Sequence, residues 1–120
     1  MLTGDELMAF VASTDLDRSL EFYGGTLGLE LEGRDPFACQ FVGLRVTLVR
    51  ELVVAPYTVL GWTVDDIEAS VGALTELGVG FQNYDGMEQD DLRIWTSPGG
   101  ARIAWFKDPD DNTLSLAQMP

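Results

Sequence analysis

Apolar and polar positions follow two rhythms along this chain, and the rhythms recur twice in the same order. Residues 7–13 form an apolar run with the length of a buried strand. Thr14-Asp15-Leu16-Asp17 then offers a helix start, a small polar residue with an acid three positions on. Leu16, Leu20, Tyr23 and Leu27 continue at spacings of four, three and four, the stripe of an amphipathic helix. Gly28 stands where a left-handed C-cap would end it. Short strands are expected at residues 29–32, 37–42 and 45–49, with Gly43-Leu44 as a tight connection.

After Pro56 the order begins again. Residues 58–64 read as a strand, and Asp65-Asp66-Ile67-Glu68 is a second capped start. Ile67, Val71, Leu74 and Leu77 make the apolar stripe, and Gly78 ends it. Residues 79–84 are expected to be extended, and 92–96, 101–106 and 113–118 to be strands. Turn chemistry sits at Ser97-Pro98-Gly99-Gly100 and at Asp108-Pro109-Asp110-Asp111-Asn112. Asp15 and Asp65 share one offset with Leu27 and Leu77 and with Gly28 and Gly78. This is a βαβββ module duplicated within one 1–120 domain, the first copy spanning about 5–54 and the second about 57–120. The predicted class is α+β, with mixed sheets and helices on one face.

Composition then narrows the chemistry. The chain has 120 residues with 46% hydrophobic and 22% charged, the balance of a folded globule with a core. Seven basic against twenty acidic residues give a net charge of −13, which disfavours nucleic acid and anionic membranes as partners. There is no histidine, so imidazole bases, Ser-His-Asp or Cys-His catalysis and His-ligated metals are excluded. Cys39 is the single cysteine, which excludes a disulfide framework and suits a reducing compartment. Residues 1–6 lack the basic start of a signal peptide, and no apolar window reaches bilayer length, so a cytoplasmic location is expected.

Thr14-Asp15-Leu16 leading into Leu20-Glu21-Phe22-Tyr23 and Leu27-Gly28-Leu29 resembles the first module of the vicinal oxygen chelate superfamily, which includes glyoxalases, extradiol dioxygenases and bleomycin-resistance proteins. Val64-Asp65-Asp66-Ile67 with Leu77-Gly78-Val79 resembles the opening of its second module. The stretch from Phe106 to Leu114 is similar to its closing signature, with Asp111 where a Gly usually stands. The resemblance spans almost the whole chain. It implies a curled mixed sheet with a groove, helices on the outer face, and a homodimer.

Catalytic members of that family hold a divalent metal through His, Glu or Gln. The corresponding positions here are Met8, Leu48, Val59 and Ser115, side chains that cannot grip a hard or borderline ion. This departure from the family's pattern leads us to expect a groove with no metal and no cofactor. Strand parity places Phe10, Trp105 and Ser115 on the groove side, with Trp95, Leu48, Arg50 and Arg93 as further ligand-contact candidates, and Trp62 under the helices. Aromatic walls with a few polar groups suit a flat organic guest, and net acidity favours a cationic one. Three readings stay open. The chain sequesters a small molecule, as the bleomycin-resistance branch does. Alternatively it is a lyase, isomerase or dioxygenase-like enzyme using a non-metal group such as Tyr84, Asp85, Glu88 or Cys39. In the third reading it is an interaction module with no guest.

Overall fold

The computed structural model describes residues 1–120 and divides into two compact units, Met1–Val53 and Val54–Pro120. In the first unit, β1 (Ala9–Ser13) leads into α1 (Leu16–Leu20), which continues as a π-helical segment Glu21–Thr26. Then come β2 (Leu31–Arg34), β3 (Ala38–Phe41) and β4 (Leu44–Leu48). The sheet order is β1-β4-β3-β2, with β1 parallel to β4 and the other neighbours antiparallel. The Asp15 side chain accepts from the Arg18 backbone N–H at 3.1 Å, the cap its position predicts. One sheet face carries Val11, Cys39, Phe41, Leu44 and Val46, all buried, and α1 packs on β3 and β4. The hydroxyls of Ser13 and Ser19, 2.6 Å apart and buried, satisfy each other between strand and helix.

The second unit repeats the plan. It runs β5 (Leu60–Thr63), α2 (Ile67–Glu76), β6 (Trp95–Thr96), β7 (Arg102–Lys107) and β8 (Thr113–Gln118), with sheet order β5-β8-β7-β6. Here too the first strand is parallel to the last, and the remaining neighbours are antiparallel. Ile67 and Val71 of α2 are buried, as are Ala104, Phe106, Leu114 and Leu116 on the sheet face beneath it. Trp62 stacks on Phe106 with ring centroids 6.3 Å apart, so it packs on the helix side as its parity requires.

Three local expectations are sharpened. Within the expected start Asp65-Asp66-Ile67-Glu68 the cap of α2 is Asp66, whose side chain accepts from Ala69 N–H at 3.1 Å, so the cap matching Asp15 lies one residue beyond Asp65. The first helical stretch is therefore one residue longer between cap and terminal glycine, and the i→i+5 bond from Leu27 N–H to Phe22 O absorbs the extra residue as a π turn. Leu44 belongs to β4, so the tight connection is Val42-Gly43, with Gly43 at φ +76°. Residues 79–84 do not form a strand: only an isolated bridge from Phe81 to Phe106 forms, and the chain then departs in a long connection. No helix is long and apolar enough to cross a membrane.

Candidate functional site

Each sheet has one face turned away from its helix, and alternation decides what that face presents. In the second unit the register aligns Trp105 with Ser115 and Ser115 with Gly61. Lys107 aligns with Thr113, and Trp95 with Ile103, on the same face. A hollow of about 380 Å³ lies here, within the size range of small-molecule sites. Its walls are Trp105, Lys107 and Thr113 from the sheet, Pro56, Tyr57 and Thr58 from the segment before β5, and Tyr84 and Met87 from the connection after α2.

The aromatic groups are fixed by their neighbours. Trp105 Nε1 donates to Thr58 Oγ1 at 3.1 Å, which satisfies the indole's polar edge in the hollow's wall. Tyr84 meets Trp105 edge-on at 5.5 Å between centroids, and Trp95 lies 6.1 Å from Trp105. Lys107 Nζ donates to Thr113 Oγ1 at 2.7 Å.

The connection that brings Tyr84 and Met87 here is cross-linked by the Gln89 amide. Gln89 Oε1 accepts from Tyr84 N–H at 2.7 Å, while its Nε2 donates to the carbonyls of Gln82 at 2.9 Å and Arg93 at 2.8 Å. Gln82 N–H donates to Trp105 O at 2.8 Å, and Phe81 packs on buried Phe106 at 5.4 Å, which tie the connection to β7. At its far end Asp90 accepts from the N–H groups of Leu92 and Ile94 and pairs with Arg102 at 3.8 Å. A second, more polar hollow lies beside it, walled by Trp95, Thr96, Ile94, Gly86, Glu88 and Asp90.

The residues singled out from sequence divide accordingly. Trp105 walls the first hollow, Trp95 walls the second while touching Trp105, and Ser115 pairs with Trp105 in the ladder. Arg93 is exposed, at φ +68°, and walls neither hollow. In the first unit, Phe10 lies on the open face in register with Arg45 and is 59% exposed. Leu48 does not share that face: its register with Ser13 gives it the parity of buried Val46, and Thr47 takes the open side. The parity argument for Arg50 falls with it, since Arg50 lies beyond β4 and is exposed. Tyr57, Thr58, Met87 and Lys107 were not singled out: Tyr57 and Met87 lie outside strands, and Thr58, expected within a 58–64 strand with Val59 inward, precedes the observed β5 at Leu60.

The donor sets do not fit the divalent metal of catalytic relatives. Met8 precedes β1 and its Sδ accepts from Gln40 Nε2 at 3.5 Å, Val59 and Leu48 carry no donor, and Ser115 offers one neutral hydroxyl. No three His, Cys, Asp or Glu side chains come together. The Asp108 turn is not a cation loop, since its carboxylate accepts from Asp110 N–H, Asn112 N–H and Asn112 Nδ2. Cys39 is fully buried, and burial pushes its thiol pKa up with Arg34 pulling the other way, which is the opposite of an activated nucleophile.

No protein-family model matches the chain, and no curated protein matches it. Solved structures do. An antibiotic binding protein from Streptomyces sp. CB03234, TnmS3, is 25% identical with TM-score 0.67, covering 96% of this chain and 95% of its own. TioX from Micromonospora sp. ML1 is 17% identical with TM-score 0.72, covering 98% of this chain and 100% of its own. A glyoxalase family protein from Bacillus anthracis is 15% identical with TM-score 0.74, covering 96% and 94%. Two repeats of β1-β4-β3-β2 topology, each with its helix on one face, give this chain the vicinal oxygen chelate fold of the glyoxalase/bleomycin resistance protein/dioxygenase superfamily.

Proposed function

We propose that this protein binds a flat aromatic small molecule on the open face of its second sheet and does so without a metal. The observation that carries the reading is Trp105, with its polar edge tied to Thr58 and its ring flanked by Tyr84 in a hollow of about 380 Å³. A fixed ring face supplies stacking and buried area at little entropic cost, while Thr58, Tyr84 and Lys107 offer polar groups at the margin. That TnmS3 binds an antibiotic supports sequestration as the purpose. The reading includes a homodimer, to be measured by sedimentation.

The test is titration with a neutral bicyclic probe, 2-naphthylmethanol, followed by tryptophan fluorescence and by chemical shifts. Saturable binding that shifts the Trp105 and Tyr84 resonances is expected, weakened about tenfold or more by Trp105→Ala. Unchanged affinity in that variant, or no saturable binding, overturns the proposal. Binding that survives a chelator is the companion expectation.

A further inference from the structure

Lys107 is the only lysine of the chain, and it stands in the wall of the aromatic hollow. The chain carries twenty Asp and Glu residues, yet none of them walls this hollow. Glu88 and Asp90 belong to the neighbouring one. Among the other basic side chains Arg34, Arg45 and Arg102 are paired with carboxylates, at 2.6 Å to Asp17, 3.7 Å to Asp35 and 3.5 Å to Glu68. The Lys107 ammonium is in no such pair, and its partner is the neutral hydroxyl of Thr113. The adjacent Asp108 is buried, with its carboxylate accepting three hydrogen bonds inside its own turn.

The geometry points to a guest that is both aromatic and anionic: a flat ring carrying a carboxylate or ionised phenol, with the ring against Trp105 and the anion on Lys107 Nζ. This rests on the hollow being a binding site, and names the class of ligand it takes. An ammonium has three donors, and Thr113 Oγ1 accepts one, so two remain for an anion at the hollow's margin. The net charge of −13 argues the other way only at long range, because charges beyond about 8 Å are screened at physiological salt. A charge-assisted hydrogen bond at contact distance is not screened in that way. Bulk charge thus governs approach, and the wall governs selection.

Three probes of one shape separate the terms: 2-naphthoate, 2-naphthylmethanol and 2-naphthylmethylammonium, titrated into the intact chain at 0.15 M salt. The acid is expected to bind about tenfold or more tightly than the alcohol, and the ammonium compound more weakly than either. In Lys107→Met the acid-to-alcohol ratio collapses toward one, and in Lys107→Arg much of it returns. Should Lys107→Met not fold, reductive methylation of the native protein read by mass spectrometry takes its place. Saturating 2-naphthoate then slows modification of Lys107 more than the alcohol does. An ammonium probe that binds best, or a ratio indifferent to both variants, overturns this inference while leaving the hollow a binding site. Failure of all three probes overturns the site itself.

Discussion

The same row of three ladder positions crosses the open face of each sheet, and the two rows differ in every residue. In the first unit it reads Phe10, Arg45, Gln40; in the second, Gly61, Ser115, Trp105. In the first row Phe10 stands beside a polar pair, with Arg45 Nη1 donating to Gln40 Oε1 at 3.2 Å and Arg45 Nη2 pairing with Asp35 at 3.7 Å. The second is small at one end and carries an indole at the other. The connections differ as well. β2 begins at Leu31, soon after Gly28, whereas β6 begins only at Trp95, long after Gly78. That extra length carries Phe81, Tyr84, Met87 and Gln89, and so builds one wall of the hollow. One scaffold occurs twice; face residues and one connection make a hollow in the second copy.

The largest effect that tests this contrast is loss of the ring beneath the connection. Phe106 is fully buried between Trp62 and Phe81, and Phe41 is its fully buried counterpart in the first unit, beside Tyr23. Either change to Ala should cost about 3–5 kcal/mol in denaturant unfolding. Only Phe106→Ala also removes the support of Phe81, so it should raise hydrogen exchange across residues 81–94. Equal protection of that segment in both variants would contradict the idea that β7 anchors it.

Next comes Gly61, which keeps the row open where the first unit has Phe10. A Cβ there would lie 2.8 Å from Ser115 Oγ and 3.2 Å from Ser115 O. Gly61→Ala should therefore destabilise by about 1–3 kcal/mol, with partial recovery when Ser115→Gly is added, read from the denaturation midpoint. No recovery would mean that the backbone oxygen alone sets the clash.

This position also shows what the sequence could and could not convey. Period-two alternation put Trp105 and Ser115 on one face and Trp62 on the other, and the structure agrees, because strands 102–107 and 113–118 pair along their full length. Leu48, carried over from the family's ligand positions and not from alternation, lies on the helix side instead, in register with Ser13 and at the parity of buried Val46. The hollow's other walls were not legible: Tyr57 and Met87 sit in irregular chain with no period to read, and Thr58 was read into a strand that begins only at Leu60. Helix starts and stops were legible because they need particular side chains. Gly28 and Gly78, at φ +72° and +93°, occupy the left-handed conformation in which other residues are strained.

Gln89 gives a smaller and more local effect. Its amide joins Tyr84, Gln82 and Arg93, and nothing comparable is required by the short connection of the first unit. Gln89→Ala should cost about 1–2 kcal/mol of stability. It should also weaken the naphthyl probes about threefold to tenfold, because Tyr84 is no longer held in place before binding. Affinity that stays constant while stability falls would separate the connection from the site.

The smallest effect compares the two helix caps, where the units are most alike. Asp15 and Asp66 each accept one hydrogen bond at 3.1 Å, from Arg18 N–H and Ala69 N–H. Replacement by Ala should cost about 1 kcal/mol at each site. The two are not equally supported, however. At α2 the Ile67 N–H donates to Gln118 Oε1 of β8 at 2.9 Å, so that helix start keeps a second side-chain partner when Asp66 is lost. At α1 the Ser13 hydroxyl takes the N–H of Asp15 itself, at 3.1 Å, and bonds Ser19 at 2.6 Å, which leaves the first-turn donors to Asp15. Asp66→Ala should therefore be the milder change, and Gln118→Leu should bring it level with Asp15→Ala. A double-mutant cycle between Asp66 and Gln118 measures that dependence directly, and a coupling of zero would show that the two N–H groups are capped independently.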